Sequence, residues 1–167
     1  VVRAYNVYSG ELVWAWDVLS KIAHPPLKAG ETYPANTANV WSIMSVDKEL
    51  GLVYLPTGNV PPDFFGGFRT PEQDRYPSSI VALEAATGNV RWSFQTVYHD
   101  IWDYDIGGQP VLLDFPMKDG TLAPALITAT KWGAIFVLDR RTGEPLIEVV
   151  EKPVPQNPVE GEFLSPT

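Results

Sequence analysis

The sequence contains no cysteine, only two methionines and two histidines, and far fewer basic than acidic residues. Without cysteine, a disulfide framework and thiolate metal sites are both excluded. Lys and Arg number 12 against 20 Asp and Glu, a formal charge of −8. That balance argues against a nucleic-acid surface, which needs a basic stripe to displace condensed counterions. No apolar run approaches the roughly 18 residues needed to span a bilayer, and no signal peptide is read at the start. Helical signals are scarce as well. What is plentiful is Pro (16) and Gly (13), set among 45% hydrophobic and 12% aromatic residues. Such a chain packs a core, and it does so through short strands joined by turns.

Short apolar stretches rich in Val, Ile, Tyr and Trp, bounded by Gly, Pro and Asp, read as strands. They fall at Val2–Tyr5, Leu12–Trp16, Trp41–Val46, Leu52–Leu55, Ile80–Leu83, Val90–Gln95, Val111–Asp114, Ala125–Thr130, Ala134–Asp139 and Leu146–Val150. Between them lies a long Pro- and Gly-loaded segment, Pro56–Ser79, of the kind that is usually functional or disordered. Gly66–Gln73 within it has room for one short helical turn. The tail Pro153–Thr167 has four prolines and no period, and reads as a connector.

A repeat organises these strands. Val2–Trp14 and Ile80–Trp92 share an apolar strand, an acidic or amide residue, a Ser/Thr-Gly pair and a second strand carrying Trp. A third copy, Ile135–Glu144, has lost its Trp. The Ser/Thr-Gly pair supplies a hairpin turn, and the Trp packs where neighbouring sheets meet. The unequal spacing of Gly10, Gly88 and Gly143 excludes a solenoid and fits propeller blades with variable loops. A plain antiparallel sandwich is the alternative. At four strands per blade the chain holds roughly two to three blades. The expectation is an all-β chain in which residues 1–167 form one partial propeller domain, a fragment inactive alone.

Four segments carry the candidate chemistry. His99-Asp100-Ile101-Trp102-Asp103-Tyr104-Asp105 sets three carboxylates among aromatic walls, surroundings that shift or split carboxylate pKa values and favour a general base. The same aspartates also suit Asx turn caps. The run is no EF-hand loop, because no glutamate closes it. Asn59, after a strand and Gly58, either caps a turn or offers a carbonyl oxygen to a hard cation. Lys131, between two strands, is either a solvated hairpin tip or a cation aimed at an oxygen that gains charge. Trp41 in Asn39-Val40-Trp41-Ser42 reads, on its own, as core.

Taken together, these segments resemble the pyrroloquinoline quinone (PQQ)-dependent dehydrogenases, specifically the membrane-bound glucose/quinate/shikimate branch. The likeness rests on Asn39–Ser42, Leu52–Asn59, Pro62–Thr70, His99–Asp103, Lys131–Gly133 and Val137–Gly143, and it runs essentially end to end. The Trp-bearing repeat is similar to the tryptophan-docking motif of that eight-bladed β-propeller. The resemblance implies Asp103 as the base that takes the substrate hydroxyl proton and Lys131 as the partner of the reactive quinone oxygens. It implies Trp41 as the floor under the planar cofactor and Asn59 as a ligand of Ca²⁺ (or Mg²⁺). His99 and Asp100 would shape the loop. Tyr98 departs from the pattern, since many members carry a second histidine there.

The cofactors implied are PQQ and a divalent cation, the substrate a sugar or cyclic polyol, and the electron acceptor a ubiquinone-type molecule. The site would lie at the periplasmic face of a bacterial inner membrane, with no nucleic-acid partner. Two alternatives stand beside this reading. One is a non-catalytic propeller scaffold of the outer-membrane assembly type, which has no reason to hold a base, a cation and a stacking surface together. The other is the soluble PQQ alcohol dehydrogenases, which tend to carry arginine at the position of Lys131.

Overall fold

The computed structural model describes residues 1–167 and contains nine strands and no helix. In chain order they are β1 (Val2–Tyr5), β2 (Leu12–Trp16), β3 (Ser45–Asp47), β4 (Leu52–Pro56), β5 (Ser79–Glu84), β6 (Val90–Gln95), β7 (Val111–Pro116), β8 (Leu122–Ala129) and β9 (Ile135–Asp139). They form three antiparallel sheets: β1-β2, the four-stranded β3-β4-β5-β6, and β7-β8-β9. Each strand pairs with its neighbour in sequence, a meander as in the blade of a propeller.

The middle sheet explains why its strands read as apolar runs. Because side chains alternate across a strand, β5 sends Val81 and Leu83 into one core and Ile80 and Ala82 into the other. Strand β4 divides in the same way, with Leu55 on one side and Leu52 and Tyr54 on the other. One core joins this sheet to β2 through Trp14 and Trp16; the second joins it to the last sheet through Trp92, Leu126, Phe136 and Leu138. The sheets therefore stack face to face.

The repeated tryptophans pin successive sheets. Trp14 Nε1 donates to the carbonyl of Ala85 at 3.1 Å, and Trp92 Nε1 to that of Arg140 at 3.3 Å. Each ring lies on the turn glycine of the following copy. A Cβ built at Gly88 would sit 2.5 Å from the Trp14 ring, and one at Gly143 would sit 2.5 Å from the Trp92 ring. Both glycines are left-handed, with φ of 74° and 78°, so conformation and space each select glycine.

The structure departs from the sequence expectation at three places. Trp41 lies outside β3, which is confined to Ser45–Asp47 by its pairing with Leu52–Tyr54. Leu146–Val150 is not a strand: Leu146 N donates to Val137 O at 2.8 Å, a lone bridge joins Leu138 to Pro145, and no ladder follows. Pro145 has no N–H to extend the pairing. Gly66–Gln73 forms turns rather than helix, closed by Arg69 N–Gly66 O and Asp74 N–Thr70 O bonds of 2.8 and 3.1 Å.

Candidate active site

Antiparallel pairing brings the candidate residues to one end of the stacked sheets. Trp41 precedes β3, Asn59 follows β4, the loop of Asp103 follows β6, and Lys131 lies in the turn after β8. The starts of β3 and β7 and the ends of β4, β6 and β8 share that end because neighbouring strands run in opposite directions. Two backbone bonds tie the sheets together there: Ile106 N to Thr57 O at 3.2 Å and Lys131 N to Asp105 O at 3.4 Å.

Asp103, Asp105, Lys131 and Asn59 form one connected group. Lys131 Nζ donates to Asp103 Oδ2 at 2.5 Å and to Asp105 Oδ2 at 3.5 Å. The far oxygen of Asp105 accepts the Asn59 N–H at 2.6 Å. Lys131 is thus no free hairpin tip. Its hydrogen bond to Asp103 raises its pKa above the ordinary lysine value, with the Asp105 charge adding to the rise. Burial pushes the Asp105 carboxyl above its ordinary range, against the Asn59 N–H that lowers it, and the adjacent Asp103 adds to the rise. The two carboxylates therefore differ: Asp103 pairs directly with the ammonium, whereas Asp105 is more enclosed and bonded to backbone.

The loop that presents Asp103 is built on Asp100. Its fully buried carboxylate accepts the Ser78 hydroxyl at 2.6 Å, Trp102 N at 2.9 Å and Tyr104 N at 2.8 Å. For Asp100, then, the Asx-cap reading holds. His99 and Asp103 are left-handed, with φ of 44° and 60°. Such conformations cost of order 1–3 kcal/mol each and persist where the surroundings over-determine them. Three rings flank the carboxylate and the lysine: Trp102 and Tyr104 stack at 5.9 Å, and Tyr104 meets Trp132 at 6.3 Å.

Trp41 is 57% exposed, which overturns its reading as core. Its indole edges rest on two glycines. A Cβ at Gly107 would lie 2.9 Å from the ring, and one at Gly58 would lie 3.0 Å from Nε1. Asn59 is buried, with Nδ2 donating to Asp63 O at 3.1 Å and Oδ1 accepting Val60 N at 2.7 Å. Three participants escaped sequence reasoning: Asp74, Arg69 and Glu162. His99 contacts Asp74 and Glu162, and Arg69 holds the Asp100 carbonyl. Glu162 lies in the Pro-rich tail read as a connector, and no local signal marks it.

A planar, polyanionic quinone fits this arrangement: an open indole backed by glycines offers a flat face, and Lys131 offers a cation at the edge. For a divalent cation the chain offers only oxygen donors, on Asn59, Asp103 and Asp105, the set a hard ion prefers. No group of three or more His, Cys, Asp or Glu converges to hold a metal ion.

Stacked antiparallel sheets thus hold a carboxylate, a lysine and an open indole at one end. The profile of the PQQ glucose/ethanol/alcohol dehydrogenase β-propeller domain matches residues 1–167, and the chain belongs to that family. It is 46% identical over its whole length to the glycerol dehydrogenase large subunit of Gluconobacter oxydans and 46% to quinoprotein glucose dehydrogenase of Escherichia coli. It is 44% identical to quinate/shikimate dehydrogenase (quinone) of Acinetobacter baylyi. The chain spans 23%, 21% and 21% of those relatives. Among solved structures, quinohemoprotein alcohol dehydrogenase from Comamonas testosteroni superposes with a TM-score of 0.69 at 26% identity. That match covers 97% of this chain and 27% of the other. Europium-containing methanol dehydrogenase gives 0.66 at 26%, over 88% of this chain and 30% of the other. The expected all-β propeller portion is therefore what the chain is.

Proposed function

We propose that the full-length protein containing this chain is a PQQ-dependent dehydrogenase that oxidises a sugar or polyol hydroxyl. The observation that carries this reading is the Asp103–Lys131 pair, 2.5 Å apart, beside the exposed Trp41. Asp103 is the general base: its Oδ2 takes the substrate hydroxyl proton as hydride leaves the carbon, giving a lactone, ketone or aldehyde. Lys131 pairs with Asp103 in the resting site and supplies positive charge where an oxygen becomes anionic. Trp41 is the flat support for the cofactor, and the oxygen of Asn59 is one ligand for a Ca²⁺ or Mg²⁺ ion whose other ligands lie outside this chain. When bound, PQQ supplies the two-electron acceptor chemistry. The electrons pass on to a ubiquinone-type acceptor, at the periplasmic face of the bacterial inner membrane.

Relatives named for glycerol, glucose and quinate or shikimate share far more of this sequence than the alcohol dehydrogenase structures do, and this favours a polyhydroxylated substrate. The test is dye reduction by the full-length protein with PQQ, comparing glucose, quinate, shikimate, glycerol and ethanol, before and after chelation. Turnover on one of the first four, lost on chelation and restored by Ca²⁺ or Mg²⁺, is expected. Preference for ethanol, or turnover without PQQ, would refute the reading.

A further inference from the structure

The tail that closes the chain returns to the loop of Asp103. Glu162 Oε1 lies 3.0 Å from His99 Nε2, and Glu162 Oε2 accepts Gly66 N at 2.5 Å. The other ring nitrogen of His99 lies 2.6 Å from Asp74 Oδ2. Phe163 stacks on the imidazole, with centroids 3.7 Å apart. His99 is 6% exposed, and the Glu162 side chain is 2% exposed. Each ring nitrogen thus meets a carboxylate oxygen. Burial raises the Glu162 carboxyl, but the Gly66 N–H and His99 outweigh it and hold Glu162 below its ordinary value.

The approach is close enough to need glycine on one side: a Cβ on Gly67 would lie 1.8 Å from the carbonyl oxygen of Gly161. One on Gly66 would lie 2.5 Å from the imidazole. The same turn carries Arg69, whose guanidinium donates to the Asp100 carbonyl at 2.7 Å and to the Val60 and Pro62 carbonyls at 2.9 and 3.1 Å. The tail, the 66–74 turn and the Asp103 loop are thereby joined through one buried imidazole. That imidazole belongs to a left-handed residue four positions before the left-handed Asp103.

We propose that Glu162 is a positioning residue for the reaction: with Phe163 and Asp74 it clamps His99, and the clamped backbone sets where the Asp103 carboxylate stands. This rests on the reading of Asp103 as the proton acceptor. A misplacement of the order of 1 Å at a reacting group can cost about 10²-fold in rate, so a contact remote from substrate acts on kcat.

The experiment uses the full-length enzyme with Glu162→Gln, Phe163→Ala and Phe163→Tyr, and Asp103→Asn beside them. Glu162→Gln is expected to lower kcat by about 10-fold or more, with substrate KM and PQQ half-saturation within about two-fold. Without PQQ, the Trp102 and Tyr104 amides should exchange hydrogen about 10-fold faster, while those of β5 stay protected. Phe163→Ala should follow the same pattern, and Phe163→Tyr, which keeps the ring, should restore kcat. Wild-type kcat in Glu162→Gln, unchanged exchange in the loop, or acceleration that extends equally into β5 would each overturn the inference. If Asp103→Asn is inactive while Glu162→Gln is normal, only the clamp fails. If Asp103→Asn also turns over normally, the assignment of the base fails and the clamp's role falls with it.

Discussion

At the scale of single residues, Lys131 separates a structural from a chemical role most cleanly. Its side chain is 45% exposed and reaches Asp103 and Asp105 across the cleft between two sheets. An exposed ion pair of this kind contributes little to stability, so Lys131→Ala should move the unfolding free energy by no more than about 0.5 kcal/mol. If the ammonium serves the reaction, the same change lowers kcat at saturating PQQ by about 10²-fold or more. Lys131→Arg keeps the charge but presents it as a planar fork, and should recover only part of the loss. Steady-state turnover beside thermal melting checks all three outcomes, and full activity in Lys131→Ala would return the residue to the surface. Asp103 and Lys131 were legible as chemistry-bearing types, whereas their contact, 28 residues apart in sequence, was not. Trp41 misled in the other direction, because an aromatic residue beside a strand looks like core. Its 57% exposure, over glycines from two distant loops, shows that it lies open.

At the scale of elements, the repeat was the most readable feature. The Ser/Thr-Gly turn and the Trp twelve or so positions from its strand start recur because each indole needs a left-handed glycine beneath it. This gives a graded expectation for two hairpin glycines. Gly143→Ala meets the Trp92 ring at 2.5 Å and must also hold φ near 78°. Gly120→Ala, at φ 86°, meets nothing within 4 Å. The second should cost only the conformational term of about 1–2 kcal/mol, and the first a further 1–3 kcal/mol or so from overpacking. Urea titration of both variants in the full-length protein checks the ordering, and equal midpoints would contradict the docking role of the turn. Strand β5 was legible because burial on both faces leaves a continuous Ile-Val-Ala-Leu run. Leu146–Val150 carries a similar composition and is not a strand, since composition does not reveal whether a partner edge is in reach. The clamp of Glu162 on His99 was invisible for a related reason: a single glutamate among prolines has no period to betray its contact.

At the scale of the whole molecule, a buried ion pair links the sheets, and paired carboxylates set the response to acid. Arg140 donates to Asp47 Oδ2 at 2.8 Å and to the Leu113 carbonyl at 2.9 Å, tying β3, β7 and the turn after β9. Burial raises the Asp47 carboxyl, but the Leu50 N–H and Arg140 outweigh it, so its pKa is lowered. The Arg141 hydrogen bond lowers Asp139 in the same sense, against its burial. A carboxyl lowered on folding contributes stability that is complete above its unfolded value, about 3.9, and is lost as pH falls through the folded value. Asp105 is raised and acts oppositely, its term favouring the fold below the unfolded value and fading as pH rises through the folded one. The melting temperature should therefore hold between about pH 7 and 5 and fall below about pH 4, with a shallower acid limb in Asp47→Asn. Circular-dichroism melts from about pH 7 to 3 check this, and parallel limbs in the two proteins would remove Asp47 from the account. The chain spans about a fifth to a quarter of its relatives, so the reaction itself is tested in the full-length enzyme. The most direct measurement is single-turnover reduction of bound PQQ, followed by its absorbance, in wild type and Asp103→Asn. The amide keeps the shape of the carboxylate but cannot accept the hydroxyl proton. PQQ half-saturation should be unchanged and reduction slowed by about 10²–10⁴-fold; reduction at the wild-type rate would contradict Asp103 as the base.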